Sequence, residues 1–152
     1  MANSLFKPFN MEDGIFLNNY VLHKSSFKDF WKWRKESNKP QPISFPVVKN
    51  NPSYLKSNKS EKTITWVGHS TFLIQIDGIN VLTDPHFTKR ASPLSFMGPS
   101  RTTPSGLNID DLPFIDLVLI SHNHYDHLDA QTIKLLLKKQ NIKQPTFFVP
   151  LK

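Results

Sequence analysis

Cysteine is absent from the chain of 152 residues, and this absence excludes both a disulfide framework and a thiolate metal site. The chain also lacks any apolar run near the roughly twenty residues that a membrane-spanning helix needs. No N-terminal apolar run is long enough to serve as a signal peptide. A hydrophobic content of 38%, with 12% aromatic residues, is sufficient to build the core of one domain. We therefore expect a soluble cytoplasmic protein.

The net charge of +7 comes mostly from the N-terminal part of the chain. Residues 1–62 hold 11 Lys and Arg against 5 Asp and Glu, a balance of +6, whereas residues 63–152 hold 8 against 7, a balance of +1. An excess of this kind attracts phosphate-rich surfaces such as anionic lipid or RNA, or it is simply a solvated face. Because residues 63–152 are nearly neutral, we expect no nucleic-acid partner.

Residues 1–62 are predicted to form an irregular basic arm, a short helix and a proline-rich strap. The arm covers residues 1–25, shows no strong period, and includes His23, which carries no signal. Ser25 or Ser26 is a suitable N-cap for a helix that ends near Lys35. One side of this helix is aromatic (Phe27, Phe30, Trp31 and Trp33), and the other is basic (Lys28, Lys32 and Lys35). The aromatic side either packs onto the domain or lies in a membrane interface, which would make the protein membrane-peripheral.

Beyond the strap, which runs from Lys39 to Lys62, hydrophobic patterning predicts a domain over residues 63–152. Asp77-Gly78 is a strong two-residue hairpin turn. Asp129 can cap a helix from Ala130 to Lys139. The predicted strands are Thr63–Val67, Thr71–Ile76 with Phe72, Ile74 and Ile76 on one face, Ile79–Thr83, Asp116–Ile120 and Thr146–Val149.

A long loop separates the third of these strands from the fourth. Residues 85–113 contain five prolines and show no regular period. Loops this long inside a domain are usually functional, so we expect this one to border the mouth of an active site. Arg101 can pair there with a phosphate or remain a surface arginine. Four side chains can offer an apolar wall or a packed cover: Phe87, Leu94, Phe96 and Met97.

Histidine is concentrated in one heptapeptide, Ser121-His122-Asn123-His124-Tyr125-Asp126-His127. It contains three of the six histidines of the chain together with a carboxylate, and these groups are preferred ligands of zinc and related divalent metals. The preceding run, Asp116–Ile120, is predicted to be a strand buried on both faces. In extended chain, residues i and i+2 project to the same side, so His122 and His124 can bind one ion together. Asp126 and His127 follow the turn and are free to face a second ion.

The spacing of His122, His124, Asp126 and His127 resembles the signature of the metallo-β-lactamase-fold hydrolases. The flanking segments resemble the branch that contains N-acyl-phosphatidylethanolamine-hydrolysing phospholipase D and its bacterial relatives. The resemblance covers roughly residues 60–152. The segments that carry it are residues 65–73 (TWVGHSTFL), 82–85 (LTDP), 98–101 (GPSR), 112–116 (LPFID) and 121–129 (SHNHYDHLD).

The resemblance implies an α/β (α+β) fold, the first half of an αββα sandwich, and a zinc-dependent hydrolase acting on a phospholipid or a related phosphodiester. It implies two zinc ions, or a zinc and another divalent metal, with His122 and His124 on the first ion. Asp126 and His127 would hold the second ion, and Asp126 is the residue we expect to act in catalysis. It also implies that Asp84 supports the metal-binding loop, although an ordinary Asp-Pro turn explains it as well. His69 is either structural or a substrate contact near the site, and His86 has the same two readings.

The resembling family places further ligands in a second half: a histidine, a bridging aspartate and a last histidine. No histidine follows His127 and no aspartate follows Asp129. We therefore expect a truncated family member that is inactive alone, with one face and one edge of its sheet uncovered. Two alternatives stay open: a nuclease or lactonase on the same fold, and a non-catalytic remnant that acts as a binding half-domain. The exact substrate and the oligomeric state are not determined by the sequence.

Overall fold

The computed structural model describes residues 11–12, 15–16, 26–36, 48–94 and 96–151. The chain divides into two units, Met1–Gln41 with Leu151–Lys152 and Pro42–Pro150. In the first unit, the backbones of β1 (Met11–Glu12) and β2 (Ile15–Phe16) pair antiparallel. The remainder of the predicted arm, with His23, lies outside the described residues.

Helix α1, Phe27–Glu36, has the expected amphipathic composition and begins next to Ser26. The Ser26 hydroxyl accepts from the Asp29 amide at 3.2 Å, and the Asp29 carboxylate accepts from the Ser26 amide at 2.8 Å. This reciprocal pair satisfies amides that would otherwise lack partners at the helix start. None of its residues is buried, and Phe27, Trp31 and Trp33 are all more than half exposed.

The second unit is built on a five-stranded mixed sheet in which the strands follow one another in chain order. The first three strands pair antiparallel, and the last two join them by parallel pairing. Asp77 and Gly78 both have positive φ (50° and 80°), as the predicted tight hairpin turn requires. The strands are β3 (Thr63–Gly68), β4 (Thr71–Ile76), β5 (Ile79–Thr83), β6 (Leu117–Leu119) and β7 (Thr146–Phe148).

One face of this sheet is covered by the core. Helix α3, Ala130–Lys139, contributes the fully buried Leu136 to it. The strands contribute alternate residues, as period-two side-chain alternation dictates. The buried hydrophobic cluster consists of Leu55, Val67, Leu73, Leu82, Leu107, Leu112, Ile115, Val118, Ile120 and Leu136.

The other face of the sheet is apolar but largely exposed. The β4 side chains that the sequence places on one face, Phe72, Ile74 and Ile76, belong to it, and the pairing register adds neighbours from β3 and β5. Leu119 is 38% exposed on this side, so the prediction that its strand is buried on both faces is wrong. The core covers only one side of β6. The exposed members of this face include Ile64, Trp66, Phe72, Ile76 and Ile79.

The proline-rich strap contains a helix that the sequence analysis does not predict. Helix α2, Pro52–Ser57, has proline at its first turn and is capped by Asn51, whose side chain accepts from the Tyr54 amide at 3.1 Å. Its Leu55 is buried in the core. Part of the strap therefore belongs to the unit that begins at Pro42. The domain boundary that the sequence predicts after residue 62 stays a prediction.

Candidate metal centre

The candidate site lies where β5 and β6 end. These strands are parallel, with Thr83 paired to Leu119, so their carboxyl ends meet at the same edge of the sheet. The Asp84 amide continues the pairing by donating to the Leu119 carbonyl at 2.8 Å. Side chains that follow parallel strands converge at such an edge, which is where ligands bind in α/β sheets.

Asp84 holds the start of the histidine-rich segment in place. Its carboxylate accepts from the Ser121 amide at 2.7 Å, from the Ser121 hydroxyl at 2.8 Å, and pairs with His127 Nδ1 at 2.9 Å. Burial alone would raise the pKa of Asp84, but the hydrogen bonds from His127 and Ser121 outweigh it and lower the pKa overall. The residue adopts a left-handed backbone conformation (φ 37°).

The contact with Asp84 fixes which nitrogen of His127 is free. Because a carboxylate only accepts, Nδ1 carries a proton, and in the neutral ring the lone pair is on Nε2. That Nε2 lies 3.7 Å from an oxygen of Asp126, and the His127 side chain is only 16% exposed. A histidine held in this way by a carboxylate is oriented to bind a metal through its other nitrogen.

His69 contacts the same group of side chains from a distant part of the sequence. It occupies the turn between β3 and β4 in a left-handed conformation (φ 51°), and Trp66 Nε1 donates to its carbonyl at 2.9 Å. His69 Nε2 lies 2.9 Å from Asp126 Oδ2. Burial alone would raise the pKa of Asp126, but its own backbone amide and the neighbouring His127 and His69 lower it overall.

The pair His122 and His124 lies beside this group. His122 Nε2 is 3.0 Å from His124 Nδ1, so the two rings converge as the i, i+2 argument predicts. The ring centroid of His122 is also 4.0 Å from that of His127. The predicted division of the four motif residues between two ions stays a prediction, and in the structure the His127 ring contacts both His122 and Asp126.

These side chains have the chemistry and spacing that a divalent ion requires. His69, Asp126 and His127 can each offer one ligand atom, and the three atoms lie within 4.8 Å of one another. Two ligands about 2.0–2.1 Å from one tetrahedral zinc are roughly 3.3 Å apart, close to the separations of these donors. Nitrogen and oxygen donors of this kind suit zinc and related metals. The residues therefore fit a metal, and their assignment as ligands stays a prediction.

Sequence reasoning did not place His69 among the possible ligands. Its signal was weak, a single histidine in a Gly-His-Ser turn, and only the sheet brings it to Asp126. His86 was also left unassigned, and the structure buries it against Arg101, with 5% of its surface exposed. Of the residues expected near the site, Asp84 and His69 contact the motif directly, whereas Arg101 lines a cavity that His69 and Asp126 also line.

A cavity of about 380 Å³ opens beside the candidate ligands. His69 and Asp126 line it together with Arg101 and His86, so the long loop does border the site. The apolar wall suggested by the sequence is not part of it. Leu94, Phe96 and Met97 are exposed elsewhere on the loop, and Phe87 packs against the core. The cavity is lined by Trp66, His69, His86, Ala91, Pro99, Ser100, Arg101, Thr102, Thr103 and Asp126.

Comparisons with known proteins agree with this architecture. An uncharacterized protein of Mycobacterium tuberculosis is 35% identical over 148 residues, which cover 93% of this chain and 39% of the relative. The N-acyl-phosphatidylethanolamine-hydrolyzing phospholipase D 1 of Caenorhabditis elegans is 44% identical over 87 residues, 57% of this chain and 24% of the relative. A metal-dependent hydrolase of Methanopyrus kandleri is 40% identical over 65 residues, 43% of this chain and 23% of the relative.

The chain thus spans about two fifths or less of the length of these relatives. The family model for the beta-lactamase superfamily domain matches residues 63–149, from the first residue of β3 to just after β7. That match covers the whole mixed sheet and the histidine-rich segment at its edge. The chain belongs to the beta-lactamase superfamily, in its metallo-β-lactamase fold.

Proposed function

We propose that this chain supplies the first part of a zinc-dependent hydrolase that cleaves phosphodiesters of the N-acyl-phosphatidylethanolamine type. The observation that carries the proposal is the convergence of four histidines and Asp126 at a sheet edge beside a cavity that also contains Arg101. The names of two relatives support it, since one acts on N-acyl-phosphatidylethanolamine and another is a metal-dependent hydrolase.

The residues that would hold metal are His122, His124, Asp126 and His127, with His69 as a further donor. When bound, divalent ions supply Lewis-acid stabilisation of the negative charge that develops on a phosphoryl oxygen. Asp84 keeps the His127 ring in the ligating orientation through the 2.9 Å contact. Asp126, whose pKa is lowered, is ionised at neutral pH and can accept a hydrogen bond from a water molecule aimed at phosphorus.

The proposed reaction is the hydrolysis of one phosphorus–oxygen bond of the phosphodiester. The water oxygen forms a bond to phosphorus, the bond from phosphorus to the alcohol oxygen breaks, and a proton from the water ends on the departing alcohol. We propose that the reaction needs the C-terminal portion that the longer relatives possess, because two catalytic zinc ions with three protein ligands each require six donors, and the residues named above supply five. On this proposal, residues 1–152 alone are inactive.

The test uses a hybrid of residues 1–152 with the matching C-terminal portion of the mycobacterial relative. We expect zinc-dependent release of the alcohol from N-acyl-phosphatidylethanolamine vesicles, and no release with EDTA. Asp126→Asn is expected to lower turnover by about two orders of magnitude or more at similar thermal stability. Asp77→Asn, which removes an exposed carboxylate at the hairpin turn, is the matched control and should have no effect.

The same hybrid separates the alternatives. If it folds and binds zinc but cleaves only a lactone or an RNA oligonucleotide, the proposal of a phospholipid substrate is wrong, and a lactonase or a nuclease takes its place. If it folds, binds zinc and hydrolyses none of these substrates, the chain is better described as a non-catalytic half-domain. Activity of residues 1–152 without a C-terminal portion would contradict the need for further ligands.

We also propose that α1 brings the protein to anionic lipid, in keeping with a cytoplasmic, membrane-peripheral location. No helix in the described part of the chain is long and apolar enough to cross a membrane. What supports the proposal is that Trp31 and Trp33 are 56% and 64% exposed on a helix that also carries three lysines. We expect co-sedimentation with vesicles containing phosphatidylglycerol, weakened by Trp31→Ala with Trp33→Ala. Equal binding of that variant would contradict it.

A further inference from the structure

Arg101 is a partly buried cation whose guanidinium is held on one side only. Its Nη2 donates to the His86 carbonyl and lies 3.2 Å from His86 Nδ1. Nη1 and Nε donate to no other group in the part of the chain that the structure describes. Guanidinium groups stay charged in proteins and present their donors as a planar fork. Arg101 therefore has unused donors on a fixed frame.

His86 is built to hold that frame. Because Nη2 can only donate, His86 Nδ1 must be the acceptor, so the ring is neutral with its proton on Nε2. Nε2 is buried without a hydrogen-bond partner among the described residues. Burial lowers the pKa of His86 most, and the charge of Arg101 lowers it further, against the raising effects of the Arg90 backbone and of the Asp129 charge. The imidazole thus stays neutral at physiological pH and does not repel the guanidinium.

Gly68 lets the backbone approach the Arg101 guanidinium closely. It ends β3 with φ 148°, a conformation that side chains disfavour. A Cβ at this position would overlap Arg101 Nη1. The backbone and the arginine can approach this closely only because residue 68 has no side chain.

Arg101 lacks a balancing carboxylate. In the described ranges, no Asp or Glu forms an ion pair with it. Asp129 acts on it electrostatically, but the Asp129 oxygens already accept from Thr88, Gln131 and Thr132. A partly buried cation without a carboxylate partner favours an anionic ligand. The cavity in front of it is shared with His69 and Asp126 of the candidate metal centre.

We propose that Arg101 is an oxyanion-binding residue that positions the phosphodiester monoanion of the substrate in this cavity, with His86 and Gly68 as its positioning residues. The identity of the anion as a phosphodiester rests on the proposed function; the anion site itself rests on the geometry around Arg101. A planar fork of donors matches two oxygens of a phosphodiester, which a lysine in the same place would not.

The test is anion binding by the metal-free chain of residues 1–152, so that no bound metal contributes. Dimethyl phosphate is titrated after EDTA treatment, and the arginine side-chain Nε–H signals are followed by NMR. We expect one of these signals, assigned to Arg101 by its absence in Arg101→Gln, to shift with saturation in the roughly millimolar range. Asp126 lines the same cavity, so tight binding is not expected without metal.

Variants separate the anion site from general charge. Arg101→Gln and Arg101→Lys should each weaken dimethyl phosphate binding by about tenfold or more. Because these variants lack the Arg101 Nε–H signal, binding is followed in all variants by the backbone amide signal of Gly68, which lies against the guanidinium. Lys89→Gln removes one positive charge from an exposed residue of the same loop and should leave binding unchanged. If Lys89→Gln weakens binding as much as Arg101→Gln, or if the Arg101 signal does not shift in the wild-type chain, the proposal is wrong.

Two further arms keep this test distinct from that of the proposed function. Saturable binding of acetate at the Arg101 signal, without binding of dimethyl phosphate, would overturn the phosphodiester as ligand. Loss of dimethyl phosphate binding in Arg101→Gln, with zinc affinity unchanged, supports the anion site even if the hybrid fails to hydrolyse N-acyl-phosphatidylethanolamine. In that case the proposed function would be wrong, and the anion site at Arg101 would still be supported.

Discussion

Asp84 is the residue on which the candidate metal centre depends most directly. A single carboxylate connects the end of β5, the Ser121 backbone and the His127 ring, with three contacts of 2.7–2.9 Å. Such a contact does not bind a metal itself, but it fixes the tautomer and direction of the ring of a candidate ligand. The contact with Asp84 thus sets the orientation of the His127 ring.

Replacing Asp84 by asparagine is expected to weaken zinc binding by about 10–100-fold, since an amide no longer holds the His127 ring as firmly. Affinity can be measured by competition with a chromophoric chelator. Asparagine tolerates the left-handed backbone at this position (φ 37°), so the fold should survive.

The control is Asp77→Asn, which removes the same charge at another left-handed position (φ 50°) on the exposed hairpin turn. Its zinc affinity should equal that of the wild type. Unchanged zinc affinity in Asp84→Asn would show that the contact with His127 is not needed for binding.

At the scale of elements, hydrogen bonds join the N-terminus of α3 to the long loop. Asp129 caps the helix by accepting from the amides of Gln131 and Thr132 at 3.1 and 3.2 Å. Its second oxygen accepts from the hydroxyls of Thr88 and Thr132 at 2.7 and 2.6 Å. Burial alone would raise the pKa of Asp129, but these hydrogen bonds lower it overall. One capping residue therefore also fixes the loop that carries Arg101.

Asp129→Ala should lower the free energy of unfolding by roughly 2–4 kcal/mol, because it removes the cap and leaves the buried Thr132 hydroxyl without its acceptor. Urea denaturation followed by circular dichroism measures this change. Asp110→Ala, at an exposed residue of the 3-10 turn Ile109–Asp111, should change stability by less than about 0.5 kcal/mol. Equal effects of the two substitutions would contradict the role given to Asp129.

At the scale of the whole molecule, ionised carboxylates are expected to make the fold sensitive to acid. The pKa values of Asp84, Asp126 and Asp129 are all lowered in the folded chain. A group whose folded pKa lies below its unfolded pKa stabilises the fold above the unfolded value, about 3.9 for aspartate. That contribution is lost as the pH falls through the folded pKa.

We therefore expect the free energy of unfolding of the metal-free chain to fall steeply below about pH 4. His86, whose pKa is lowered by burial, adds a gentler decline below about pH 6.5, since its unfolded form takes up a proton more readily. Urea midpoints at pH 7, 6, 5, 4 and 3 test both parts. A midpoint that stays constant from pH 5 to pH 3 would contradict the carboxylate part. In Asp129→Asn, the decline below pH 4 should be shallower than in the wild type.

The choice of which sheet face is buried is also made at the scale of the whole molecule. Alternation in β4 is visible in the sequence, but the sequence does not say which set of residues is buried. The structure buries Thr71, Leu73 and Gln75, and it leaves Phe72 and Ile76 about two fifths exposed. Gln75 can be buried because it donates to the Leu55 carbonyl and to Asn80, each at 2.8 Å. Hydrogen bonds to residues outside β4 therefore allow the face that carries Gln75 to be the buried one.

What the sequence determined by itself is local. The bounds of β4, β5 and α3, the Asp77-Gly78 turn and the convergence of His122 with His124 follow from side-chain period, capping chemistry and backbone preference among near neighbours. The family followed from the same short motifs, whose residues lie within one match to the beta-lactamase superfamily domain.

Only the tertiary structure decided which distant residues meet. It places His69 2.9 Å from Asp126, buries His86 against Arg101, and builds Leu55 of the strap into the core. None of these contacts has a sequence period, because each depends on how strands and loops far apart in the chain pack against one another. Local preference selects the elements, whereas the burial of apolar surface and the pairing of buried polar groups select the contacts between them.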